Sequence, residues 1–319
     1  MGIALYHRNE LQAAEEKLAE AVKYPYSQHA WNFAHSAFAL ALIYQARGRT
    51  DEANQVGESL ISYGLDTSNP VVLQVARAFQ AELALRQGRL AEASHWAEQF
   101  VVKPFVPMYR FYVPQLTLAR VLLAQDTADS REQAADLLQQ LYDFVVSTHN
   151  TRFQIEVLAL QALPYDSRGE RSAALENLTN ALQLAEPGGF IRLFADLDPR
   201  MDDLLKELIK QNVAVGYIKR ILDAFKEDEH WALQGESDHL TAQSPPSSTQ
   251  PLVEPLTNRE LEILDLVTQR LSTKEIAAKL FISSLTVKKH LSNIYGKLNV
   301  SNRQQAGEKA QALGILTKR

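Results

Sequence analysis

Five stretches of this chain resemble one another at a spacing of about forty residues, and that periodicity limits the fold more than any other feature. They read RNELQAAEEKLAEA, RGRTDEANQVGESL, QGRLAEASHWAEQF, DSREQAADLLQQLY and RGERSAALENLTNA. Each opens on a polar or glycine-containing turn, passes through a short charged stretch, and continues as an apolar-periodic run. Ala14, Ala53, Ala93, Ala135 and Ala174 mark equivalent places, at intervals of 39, 40, 42 and 39 residues. Between these runs lie AWNFAHSAFALALIYQ, VVLQVARAFQAELALRQ, YVPQLTLARVLLAQ and RFQIEVLALQALPYD, which are helical in pattern. The unit is therefore a helix pair. A small residue at the marked position lets two helix axes approach closely. Such pairs bury their apolar faces by stacking on their neighbours, which predicts an all-α solenoid with a concave face.

The pattern resembles tetratricopeptide-like repeats, with a unit longer than the usual ~34 residues. Trp31, Tyr44, Phe79 and Trp96 are expected in the inter-helix core, and His7, His29, His35, His95 and His149 at the surface or in a groove. GIALYHRNE reads as the end of a first helix and its turn, so the chain is expected to be a piece of a longer protein, or to have its natural start upstream. Pro187-Gly188-Gly189 ends the fifth repeat. Two helices, MDDLLKELI and GYIKRILDAF, would close the array. From Gln234 to Pro255 the periodicity is lost and four prolines appear, which predicts a flexible linker. A segment of that kind has an r.m.s. reach of roughly 25 Å. The expected domains are thus a repeat region at 1–233, a linker at 234–255 and a C-terminal domain at 256–319.

Charge divides along the same boundary. The net charge of −5 combines +5 from Leu252 to Arg319 with −10 in the remainder. An acidic body with a basic end suits a polyanion-binding module on a carrier. There is no Cys, which excludes disulfide scaffolds, Cys-based zinc sites and a Cys nucleophile. No signal peptide is visible, and the longest apolar run, AFALALIY, is far too short to span a bilayer. A cytoplasmic protein without membrane contact is expected.

From Leu256 the helix-start signals recur. Thr257 with Glu260, Ser272 with Glu275, and Ser301 with Gln304 are capping boxes, Ser283 is a plain N-cap, and Gly314 is a stop. They predict helices over about 258–269, 273–280, 284–298 and 302–313. In the third helix, Leu291, Ile294 and Leu298 fall within about 40° of Val287 on a helical wheel and form the buried stripe. Leu285, Lys289, Ser292 and Gly296 lie opposite, with Lys288 on the flank. No Asp or Glu occurs from Phe281 to Arg303. A front made only of donors suits a surface rich in acceptors. The preceding helix, TKEIAAKL, joins through a tight turn, and Ile276, Ala277 and Leu280 would pack on Val287 and Leu291. Together they predict a helix-turn-helix. Lys288 and Lys289 can reach guanine edges or phosphates, Ser292 is adaptable, and Leu285 can touch a thymine methyl. Ser284 and Thr286, at the helix start, can donate to phosphate.

LTNRELEILDLV…LSTKEIAAKLFISSLTVKKHLSNIYGKLNVSNRQQA resembles the LuxR-type (NarL/FixJ-like) DNA-binding domain along about 60 residues. The resemblance implies base-reading roles for Lys288, Lys289 and Ser292, and backbone-proximal roles for Lys274, Thr286 and Arg303. It implies a last helix that serves dimerisation on DNA, with Arg303, Ala306, Ala310 and Leu313 as candidate positions. Two residues depart from the pattern: Arg270 stands where the family usually has Gly, and Gly307 where it prefers an apolar residue. GGFIRLFADLDPRMDDLL before the linker resembles the C-terminal part of large MalT-like regulators. Those carry a nucleotide-binding switch upstream. No G-x-x-x-x-G-K-[ST] occurs here, so no cofactor is expected of this chain. No catalytic triad or metal-ligand box is visible either, and catalytic and metal sites are expected to be absent. The expected protein is a transcriptional regulator that binds double-stranded DNA, with a repeat region sensing an effector or partner and a homodimer forming on DNA. The alternative is an adaptor whose helix-turn-helix does not bind DNA.

Overall fold

In the computed structural model the described residues are 1–102, 111–197, 200–241, 258–269, 271–280, 287, 290–291, 294–295, 297–298, 300 and 303–312. Every element among them is helical, without a strand. They divide into two compact units, one of residues 1–62 and 70–242, which holds the repeat helices, and one of residues 243–319 grouped with 63–69, which holds the C-terminal helices.

The repeat unit is built from helix pairs. The first helices are α1 (Gly2–His7), α3 (Ala30–Ala46), α5 (Pro70–Arg86), α7 (Pro114–Gln125) and α9 (Thr151–Ser167). The second helices are α2 (Leu11–Val22), α4 (Thr50–Asp66), α6 (Leu90–Gln99), α8 (Ala128–Ser147) and α10 (Arg171–Ala185). The two sets are buried differently. Ala37 to Ile43 of α3 and Ile155 to Pro164 of α9 are buried without interruption. A helix apolar all round needs neighbours all round. By contrast α10 buries the single stripe Ala174, Leu175, Leu178, Ala181, Leu182 and Ala185. The first helices form the inner layer, and the second helices cover it with one face. Phe79 is core as expected, with its ring tilted against Phe38 at 4.5 Å and edge-on to Tyr112 at 5.3 Å.

The turn inside each pair explains the repeated glycine. Asn9, Gly48, Gly88 and Gly169 have φ of 65°, 69°, 74° and 79°, in the left-handed region. There the following amide reaches back to close the helix, as in Arg49 N–H to Tyr44 O at 2.8 Å and Glu170 N–H to Tyr165 O at 2.9 Å. In these four pairs the left-handed residue precedes a fully buried alanine by five positions: Ala14, Ala53, Ala93 and Ala174. The fourth pair in chain order is different. Its left-handed residue is Asp126, and Thr127 and Ser130 cap α8 reciprocally, at 3.1 and 3.0 Å. This longer entry moves the fully buried residue to Ala134, so the expected Ala135 is corrected by one position.

The array then closes on itself. α11 (Arg192–Ala195), α12 (Met201–Lys210) and α13 (Val215–Thr241) follow the fifth pair. Met201, Leu204, Leu205, Leu208, Ile218 and Ile221 extend the main core. Residues at the start of the unit meet these helices: Ile191 N–H donates to His7 O at 2.7 Å, and Asn9 Nδ2 to Glu227 Oε2 at 3.1 Å. The expected linker start at Gln234 falls inside α13, which runs on to Thr241. No proline intervenes before Pro245, and a lone Gly235 costs a helix only about 1 kcal/mol. The rest of the expected linker lies outside the described residues.

The C-terminal unit holds α14 (Asn258–Thr268), α15 (Thr273–Lys279) and α16 (Arg303–Ala312), and the described positions between Val287 and Leu298 are helical. Among the described residues no helix is long and apolar enough to cross a membrane.

Candidate functional site

The C-terminal core is organised by the spacing read from the sequence. Val287, Leu291, Ile294 and Leu298 are all buried, in one cluster with Ile263, Leu264, Ile276 and Ala277. Leu280 packs against the same cluster. Ser272 and Glu275 form the expected capping box: the Ser272 amide donates to Glu275 Oε2 at 2.7 Å, and the Glu275 amide to Ser272 Oγ at 3.3 Å. That fixes where α15 starts. Glu260, almost fully buried on α14, pairs with Lys297 at 3.1 Å, which ties the first helix to the third. His290 is half-buried at the core edge.

Leu285, Lys288, Lys289, Ser292, Ser284, Thr286 and Leu313 lie outside the described residues, as does Arg270. The backbones of Lys274 and Arg303 lie in the first turns of α15 and α16, while their side chains lie outside the described residues. Ala306 and Ala310 require a correction. Both are 0 % exposed inside the unit's own core. Their small side chains seat α16 in this core and leave them no surface for a second copy. Gly307 has ordinary room for a methyl group, which would meet Thr268 Cγ2 at 3.7 Å.

A second constellation was missed in the sequence. It sits inside the repeat unit, where the inner helices carry charges. Glu82, on α5, is 1 % exposed. It accepts from Arg86 at 2.8 Å, Arg120 at 2.9 Å and Thr117 Oγ1 at 2.7 Å. Arg120, on α7, also holds Glu156 of α9 at 2.6 Å, and Arg152 lies 3.1 Å from the same carboxylate. Arg192, on α11, donates to Asp196, to Asp228 of α13 at 2.9 Å, and to Asn9 at 3.3 Å. Tyr6 donates to Asp196. His7, expected at the surface or in a groove, is buried in the same wall. The signal for Glu82, Arg120 and Glu156 was a charge flanked by Ala, Leu, Ile or Val within a helix apolar all round; such charges are rarely buried unless paired. Arg192 and Asp228 gave no such signal, because they pair across 36 residues between different helices, and His7 gave none because it meets Ile191 from the other end of the unit.

Burial works against ionising Glu82, but Arg120, Arg86 and the Thr117 hydroxyl outweigh it and hold the carboxyl at about 2. Burial likewise raises Asp228, and Arg192 offsets this only in part, leaving it at about 6. The two acids act in opposite directions on stability. Glu82 has a depressed folded value, so its contribution is complete above about 4.5 and is lost as pH falls toward 2. Asp228 has a raised one, so its contribution is complete below about 3.8 and is lost as pH rises through 6. Each limb is on the order of 3 kcal/mol. Urea midpoints from pH 3 to 7 are expected to peak between 4 and 5, with the limb above the peak flattened in Asp228→Asn. An unchanged limb in that variant would remove Asp228 as its source.

With the geometry in place, the chain can be set beside known proteins. The family described as "MalT-like TPR region" matches residues 1–211. The family described as "Bacterial regulatory proteins, luxR family" matches residues 254–310. Among curated proteins, the HTH-type transcriptional regulator MalT of Cronobacter sakazakii is 28% identical over 236 residues, covering 71% of this chain and 26% of that protein. The protein of the same name from Klebsiella pneumoniae subsp. pneumoniae is 32% identical over 164 residues, covering 49% of this chain and 18% of that protein. The chain thus spans about a quarter or less of the length of these relatives. The match over residues 1–211, well over half of the sequence, decides it: the chain belongs to the MalT-like TPR family and carries a luxR-family C-terminal domain.

Proposed function

We propose that the chain is a transcriptional regulator whose C-terminal unit binds promoter DNA in the major groove, while the repeat unit senses an effector. The observation that carries the reading is the burial of Val287, Leu291, Ile294 and Leu298 in a helix-turn-helix core. On a helix advancing about 100° per residue, positions 285, 289 and 292 are those opposite that stripe, and 288 flanks them. Lys288, Lys289, Ser292 and Leu285 would read bases; Lys274, Ser284, Thr286 and Arg303 would hold the backbone. Assembly as a homodimer on DNA would use exposed positions of α16, since Ala306 and Ala310 are core. The site of action is the cytoplasm, no catalytic role is assigned, and this chain's own residues need no metal or nucleotide.

A gel shift on genomic fragments tests this. Binding is expected at low salt and should weaken steeply as salt rises, because phosphate contacts release counterions. Lys288→Ala and Lys289→Ala should each weaken it about tenfold. No affinity for any duplex at low salt would favour the adaptor reading. Full affinity in the double variant would show that the face is wrongly assigned.

A further inference from the structure

The ion pairs inside the repeat unit leave donors over. Arg120 Nε, Arg152 Nε and Nη1, and Arg192 Nε are buried without a hydrogen-bond partner, as are His7 Nδ1 and Glu156 Oε2. Four of these six are guanidinium N–H groups, which can only donate. Their residues line one cavity of about 30 Å³, walled on other sides by the rings of Tyr6, Phe79, Phe111 and Tyr112. That volume exceeds the ~10–15 Å³ needed by one water. A water accepts at most two hydrogen bonds, whereas an oxyanion group offers about four acceptor sites. The rim is not sealed, because Arg86, Arg120 and Arg152 keep part of their side chains in contact with solvent.

Charge points the same way. Arg86 and Arg120 share Glu82, and Arg192 has both Asp196 and Asp228. Arg152 has only Glu156, which Arg120 already holds at the shorter distance. Burial pulls the Arg152 guanidinium below its ordinary value, and Glu156 does not restore it, in contrast to Arg86, Arg120 and Arg192. His7, pushed down by burial and by Arg152, adds no charge of its own. Within the cavity wall itself four arginines, Arg86, Arg120, Arg152 and Arg192, meet three carboxylates, Glu82, Glu156 and Asp196, so one positive charge has no counter-charge in the lining.

We propose that this cavity binds the carboxylate or phosphate group of a small anionic effector, with Arg152 as its counter-charge. This names the ligand class for the sensing role of the repeat unit and rests on that reading.

Calorimetric titration of the full chain with succinate, inorganic phosphate, glucose 6-phosphate and glucose tests it. At least one of the three anions should bind saturably, one per chain, and glucose should not. Succinate against the two phosphates separates the two sources of oxyanion. Arg152→Gln should weaken binding at least about 30-fold. Arg152→Lys, which keeps the charge but not the planar fork, should weaken it about tenfold and serves if the glutamine variant does not fold. Three results would overturn the site: no saturable binding of any anion, equal affinity in the Arg152 variants, or glucose binding as tightly as glucose 6-phosphate. Intact duplex binding without anion binding sinks this site alone. Anion binding without duplex affinity sinks the DNA-binding reading alone.

Discussion

Replacing Glu82 with alanine is expected to destabilise the repeat unit by about 3–5 kcal/mol, the range for removing one partner of a buried ion pair. The cost arises from what stays behind. Arg86 and Arg120 both point at this carboxylate, within 3 Å, and Thr117 donates to it. Without it two guanidinium groups share a buried space with no anion between them, and a buried hydroxyl loses its acceptor. For a unit of this size the thermal midpoint should fall by on the order of 10 °C. The surface pair Arg89–Glu92 is the control. Glu92 is 55% exposed at its side chain, and Glu92→Ala should cost at most about 1 kcal/mol. If Glu82→Ala lies within the same range, the carboxylate is not holding the two arginines, and the interior ion pairs contribute nothing that the apolar layers do not already supply.

How much of this was legible follows from the range of the interactions. The helix pairs were readable because their determinants are local: a left-handed residue, then five positions to an alanine that must be small. The reading slipped by one residue where that local device changes, at the Asp126–Thr127 turn, since a capped entry is longer than a glycine turn. The C-terminal core was readable for the same reason. Val287, Leu291, Ile294 and Leu298 recur at helical spacing, and Ser272 with Glu275 marks a start. Ala306 and Ala310 were misplaced because a small apolar residue suits a close helix contact of either kind, within one unit or between two copies. The interior charges were half legible. Glu82 between Ala81 and Leu83 says that a partner exists, but not which one. Arg86 lies one turn along the same helix, but Arg120 and Thr117 lie one repeat away, and their register depends on the stacking angle between pairs, which no single pair encodes. Closure of the array was not legible at all. It joins Tyr6 and Asn9 to Asp196, Glu227 and Arg192 across most of the unit's length.

That closure is the subject of the second large expectation. Arg192→Ala should cost about 3–5 kcal/mol and should free α1 before anything else unfolds. Among the described residues Arg192 is the largest fully buried side chain, at 2 % exposure. Its two terminal nitrogens reach three segments: Asn9 in the turn after α1, Asp196 at the end of α11, and Asp228 on α13. Truncation leaves Asp196 and Asp228 facing each other, with Arg86 the nearest cation to Asp196 at 3.9 Å. Asp228, already raised by burial, would protonate and give up its remaining hold. α1 is six residues long and cannot persist as a helix without its tertiary contacts. Its amides should therefore lose protection in hydrogen exchange while those of α9, buried on every side, keep theirs until global unfolding. Arg192→Lys separates charge from geometry. An ammonium can neutralise one carboxylate, but it cannot bridge both and Asn9 in one plane, so exchange at α1 should rise to an intermediate level. If stability falls and α1 keeps its full protection, Arg192 supports the core locally, and the array is held closed by its apolar contacts and by the Ile191–His7 backbone bond instead.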